Sequence, residues 1–180
     1  MLASSKTDNG VLKGQLVMKK KVTMIEDSRE AQLKFLESIP TNEIVELQAI
    51  TVDPFFDEQI EQAITEFGPD LIILDLRLKR DENSGFRVLR QLRESSLKDV
   101  PIIVCSKYIG ASLRDPNRVK ALNYGALAAL PKSPFPKLQD FYDPISKLRQ
   151  EKKDSESQST AGTSQDIAVE QKAKRDQKDA

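Results

Sequence analysis

Leu71-Ile72-Ile73-Leu74-Asp75-Leu76 sets one carboxylate at the end of four consecutive large aliphatic side chains. A run this short, bounded by Gly68-Pro69 and by a charged loop, suits a strand covered on both faces. Strands of that kind belong to parallel sheets, which need a helix between successive strands to return the chain. The rest of the middle of the sequence supplies both kinds of element in alternation.

Upstream, Val22 to Ile25 and Val45 to Ile50 read as strands. Ser28 to Ile39 and Pro54 to Phe67 read as helices, with Ala31, Phe35, Leu36 and Ile39 on one face of the first and Phe56, Ile60, Ile64 and Phe67 on one face of the second. Pro40 and Gly68-Pro69 stop them. Downstream, Ser84 to Arg93 carries a buried stripe of Phe86, Val88, Leu89 and Leu92, and Pro101 to Ser106 is a fourth strand. A weaker helix, expected to be interrupted by Pro116, runs to about Tyr124; Leu127 to Leu130 is the fifth strand and Pro134 to Leu148 the last helix, with Pro144 as a kink. Right-handed crossovers make five such cycles an α/β fold with helices on both faces of a parallel sheet. Sites in these folds lie at the carboxyl ends of the strands.

Composition narrows the chemistry. The 180 residues hold 28 basic and 28 acidic side chains, which gives no overall attraction for nucleic acid or anionic membrane. There is no histidine and a single cysteine, so zinc, haem and imidazole acid-base chemistry lose their usual groups. Cys105 sits in an apolar run and reads as core in a reducing compartment, with cytoplasm as the expected location. No stretch approaches the roughly 20 apolar residues of a membrane helix. Residues 1–19 read as a flexible leader in which Met1 or Met18 opens the biological chain, residues 20–150 as one domain, and residues 151–180 as a disordered polar tail whose only large aliphatics are Ile167 and Val169.

At the expected strand ends stand Glu26 and Asp27, then Asp75, Ser106 and Lys132. Each has a plain structural reading: Asp27 or Ser28 as a helix cap, Ser106 as a turn residue, Lys132 as a surface lysine. Asp75 is harder to treat that way, because an ionised carboxylate beside a buried strand is costly without a partner. Three converging carboxylates repel one another, and a hard cation relieves the conflict.

These residues, in this order and at these strand ends, resemble the receiver domain of two-component response regulators over about residues 20–150. The resemblance implies a flavodoxin-like doubly wound fold with strand order 2-1-3-4-5. It also implies Mg²⁺ held by Glu26, Asp27, Asp75 and the main-chain carbonyl of Arg77. Asp75 would be the phosphoacceptor, Lys132 would neutralise phosphoryl charge, and Ser106 would report phosphorylation. The phosphoryl donor would be a histidine kinase or phosphotransfer protein and the output a downstream protein target. The resemblance further implies a signalling module rather than an enzyme; a monomer or weak dimer is expected and, because no helix-turn-helix pattern or basic patch follows residue 150, no direct DNA binding.

Three features depart from the family pattern. The loop from Leu76 to Ser84 is long, Ser133 separates Lys132 from Pro134, and Ala129 stands where an aromatic residue is usual. They leave room for a receiver-like module that binds partners without phosphorylation. Two other classes fit less well. An aspartyl-phosphate hydrolase wants a second aspartate where Arg77 stands, and a nucleotide-binding enzyme wants glycines where Glu26-Asp27-Ser28-Arg29 stands.

Overall fold

The computed structural model describes residues 19–52, 56–79, 81 and 83–155. The expected leader up to residue 18, the tail beyond residue 155 and Pro54 at the expected helix start lie outside these residues. Nine elements are β1 (Lys20–Ile25), α1 (Arg29–Glu37), β2 (Val45–Ile50), α2 (Glu58–Phe67), β3 (Leu71–Leu74), α3 (Ser84–Glu94), β4 (Ile102–Ser106), α4 (Pro116–Asn123) and β5 (Ala128–Pro131). A further helix, α5, covers residues 138–155. All strand pairs are parallel and the order is β2-β1-β3-β4-β5.

Period-two alternation sorts the strand side chains into two cores. Leu71 and Ile73 join Val22, Met24, Ile103 and Cys105 beneath Phe35 of α1 and Phe141 of α5. Ile72 and Leu74 join Ile25, Ile102 and Val104 beneath Ile64 of α2, Leu89 of α3 and Ala121 of α4. All four β3 residues are buried, each contributing about 1.5–3 kcal/mol over an exposed position. That double covering is why β3 reads as an unbroken apolar run. Phe35 and Phe141 meet edge to face at 5.8 Å and lock α1 to α5.

Caps and breakers explain where the structure differs from the sequence reading. Pro116 starts α4 instead of interrupting it: it stands in the first turn, where its missing N–H costs nothing, and the Asp115 carboxylate accepts the Asn117 and Arg118 N–H groups. The last helix begins at Leu138, four residues after Pro134, with Pro136 outside it, and runs on past Leu148 through residue 155. It accommodates Pro144 in its interior and takes in the first residues of the stretch expected as tail.

Candidate functional site

Strand register builds the site. Ile25 is paired with Leu74, so the next residues, Glu26 and Asp75, leave neighbouring strands side by side, about 4.8 Å apart. Main-chain bonds hold that exit: the Asp75 N–H donates to Ile25 O at 3.1 Å and the Glu26 N–H to Ile50 O at 3.0 Å. Further along the sheet Ser106 pairs with Pro131, and the Lys132 N–H donates to Ser106 O at 3.2 Å, which delivers Lys132 to the same edge.

The Lys132 ammonium bridges two carboxylates. It pairs with Asp75 Oδ2 at 2.9 Å and with Glu26 Oε2. The remaining oxygens are also engaged: Asp75 Oδ1 accepts the Leu76 N–H at 2.8 Å, and Glu26 Oε1 accepts the Ser28 N–H at 2.9 Å. Asp27, exposed, accepts the Lys79 N–H at 2.8 Å, and Lys79 adopts a left-handed backbone (φ 48°). Glu26 is 1% exposed. Burial pushes its carboxyl above the ordinary range, with the Asp75 charge adding to the effect and Lys132 opposing it. For Lys132, burial works against the ammonium, but the Asp75 and Glu26 charges outweigh it and hold the group above its usual value.

Carboxylate oxygens of Glu26, Asp27 and Asp75 lie within 4.8 Å of one another. Trans ligands of an octahedral Mg²⁺ at about 2.1 Å stand roughly 4.2 Å apart, so this all-oxygen set needs only slight contraction to hold a hard cation. Three carboxylates face one ammonium here, which leaves an excess of negative charge for a divalent ion to neutralise. The donor set therefore fits magnesium.

A cleft of about 400 Å³ opens over the cluster, lined among others by Asp75, Arg77, Lys132, Lys34 and Lys107. Lys34 and Lys107 are not among the strand-end residues that the sequence singles out. Lys107 directly follows a strand end, so the strand-end rule extended by one residue would have found it; nothing in the pattern of α1 marks Lys34. Arg77 donates to the Tyr108 hydroxyl and lies 5.4 Å from its ring centre. Ser106 is fully buried and is not among the residues lining the cleft. Its hydroxyl accepts the Tyr108 N–H at 3.3 Å. The Ser133–Pro134 peptide bond is cis.

Two small residues shape the loop after Asp75. The Ser84 hydroxyl accepts the Leu78 N–H at 2.8 Å and lies 2.7 Å from Asp81 O, which folds the long loop on itself. A Cβ at Gly85 would fall 2.2 Å from Asp75 O and 2.5 Å from Leu76 Cα, so only glycine lets the start of α3 press against the site's backbone.

The chain belongs to the response regulator receiver domain family, whose model matches residues 22–141. It is thus a receiver domain of two-component phosphorelay signalling. Among solved structures it resembles the response regulator domain of Thermotoga maritima CheB, with a TM-score of 0.52 at 18% identity over 74% of this chain and 96% of that one. It also resembles a response regulator receiver protein from Pseudomonas putida (TM-score 0.50, 18% identity, 72% and 98% covered). NtrX from Brucella abortus matches with a TM-score of 0.54 at 21% identity over 76% of this chain but 30% of that one. These likenesses concern the fold. No curated protein sequence matches the chain. No helix among the described residues is long and apolar enough to cross a membrane.

Proposed function

We propose that the protein accepts a phosphoryl group on Asp75 from a phosphohistidine on a histidine kinase or phosphotransfer protein, and signals by binding a protein target. The observation that carries this reading is the Lys132 ammonium held between Glu26 and Asp75 beside a third carboxylate. In the transfer an Asp75 oxygen forms a bond to phosphorus as the P–N bond to the donor imidazole breaks, and the released ring nitrogen keeps the electron pair. The Leu76 N–H and Lys132 fix the plane of the attacking carboxylate from its two oxygens. Once one oxygen is esterified, Lys132 is placed to pair with phosphoryl oxygens, where its charge offsets theirs. Glu26, Asp27, Asp75 and the Arg77 carbonyl would hold Mg²⁺, which supplies further charge neutralisation on the transferring group. Ser106 reports the change by turning its hydroxyl from the Tyr108 N–H toward the phosphoryl group.

A second reading is a receiver fold that binds its partner regardless of phosphorylation. It is favoured by the buried, already engaged Ser106 hydroxyl and by small Ala129, 2% exposed, at the position of the usual aromatic residue. Incubation with acetyl phosphate separates the two. The first reading expects one added phosphoryl group by intact-mass measurement with Mg²⁺ and none with EDTA. An unchanged mass under both conditions leaves the second.

A further inference from the structure

Away from the site, a groove of about 630 Å³ separates the outer edge of β5 from the start of α5. Its floor is apolar: Leu127, Leu130 and Phe135 pack on the core from one side only, and Pro134 and Pro144 form its walls. Two exposed lysines, Lys137 and Lys147, stand on its rim. Ten residues of mostly helical backbone put them about 15 Å apart. The groove's acids are engaged locally: Asp140 accepts the Lys137 N–H at 2.7 Å and Asp143 accepts from the Gln139 side chain at 2.6 Å.

The geometry points to one occupant, the segment Asp166-Ile167-Ala168-Val169-Glu170 of the same chain, lying in this groove antiparallel to α5. It holds the only large aliphatics between residues 151 and 180, two positions apart so that both face one side of an extended chain. Acidic residues flank them, and an extended Asp166-to-Glu170 span of about 13 Å matches the lysine spacing. Asp166 then meets Lys147, and Glu170 meets Lys137. The described helix ends at residue 155, about 12 Å along α5 from Lys147. Ten residues of the Ser-, Thr- and Gly-containing composition of 156–165 have a coil-scaling reach on the order of 18 Å, enough to turn back at millimolar effective concentration. The sequence before Lys20 also holds aliphatics, but Lys6 and Lys13 against Asp8 leave it net positive and repelled by the rim lysines, while Lys19 is already paired with Glu46 at 2.8 Å. Docked in this way, the segment shields the β5–α5 face from other proteins. This self-docking does not depend on the chemistry at Asp75.

Disulfide trapping in the full chain tests the register. The pairs Lys147→Cys with Asp166→Cys and Lys137→Cys with Glu170→Cys should close within the chain about tenfold faster than the crossed pair Lys137→Cys with Asp166→Cys. Adding Ile167→Asp and Val169→Asp should bring all three to the slow rate. Equal rates that ignore those aspartates overturn the proposal, as does a faster crossed pair. Disulfide-linked dimers as the sole product overturn it too, since the occupant is then the segment of a second copy. Hydrogen exchange on the cysteine-unmodified chain is the independent check, because Ile167→Asp with Val169→Asp alters only the tail. Faster exchange at residues 127–130 in that variant is expected, and no change contradicts the docking.

Discussion

The two halves of the sheet's carboxyl edge are built differently. On the β1–β3 side every carboxylate is anchored: Glu26 by Lys132 and Ser28, Asp75 by Lys132 and Leu76, Asp27 by the Lys79 N–H. On the β4–β5 side Ser106 lies beneath the surface, Ala129 offers no ring to move, and a guanidinium ties the face together. Arg118 donates to Gly110 O at 2.9 Å, to Ser112 O at 3.1 Å and to Ala129 O, which fastens the loop before α4 to β5. The acid half gathers charged groups around one ammonium, and the other half ties backbone to backbone through Arg118. Under the proposed function, accepting a phosphoryl group and transmitting its arrival are separable, and substitutions in each half should fail in different ways.

The largest effect is expected in the acid half. Asp75→Asn removes the nucleophile while keeping its size, and phosphorylation by acetyl phosphate should fall below detection in an intact-mass assay with the thermal unfolding profile nearly unchanged. Retained labelling would break the comparison at its root. Lys132→Ala should slow phosphorylation about 10²-fold, the usual loss when one charge-stabilising donor is removed. A rate within twofold of the parent would show that Lys132 serves packing alone.

Gly85→Ala sharpens the comparison from the backbone side. Its methyl group meets the Asp75 carbonyl at 2.2 Å, so α3 must move, and the urea midpoint should drop by the equivalent of about 3 kcal/mol. The same midpoint in both proteins would mean that the loop gives way freely. Tyr108→Ala probes the border between the halves. With the ring removed, Arg77 at the cleft loses its hydroxyl partner and its ring contact and should screen the cleft from water less well, so the acyl phosphate lifetime should shorten a few-fold. An unchanged lifetime removes Tyr108 from that role.

The smallest effect concerns Cys105 on β4, whose thiol burial pushes up to about 12. A raised folded value means that the thiol's contribution to stability is intact below the unfolded-state range near 8.5 and is lost as pH climbs from there toward about 12. Native protein should resist iodoacetamide between pH 7 and pH 8.5, reacting only at its unfolding rate. Rapid alkylation there would show that the β4–β5 half opens.

The same division governs what was legible beforehand. Glu26, Asp27 and Asp75 could be read because each follows an apolar run at a strand end, and parallel register then obliges neighbouring strand ends to meet. The strand order 2-1-3-4-5 came from the family resemblance, and the sheet has it. Residues whose placement depends on packing between distant elements were not legible. Arg118 is an ordinary helix-surface arginine by sequence, and only the approach of the loop to β5 gives it three carbonyl partners. By sequence Pro116 reads as a breaker, because its helix-starting role depends on Asp115 accepting the N–H groups behind it. Ser106 could be placed at a strand end, but its depth follows from the elements around it.

Reductive trapping tests the central claim most directly, because borohydride converts an aspartyl phosphate to homoserine at the residue that carried it. After acetyl phosphate and Mg²⁺, peptide mapping should find homoserine at position 75 and at no other carboxylate. Homoserine at position 26 or 27 instead, or at none of the three, would contradict the account.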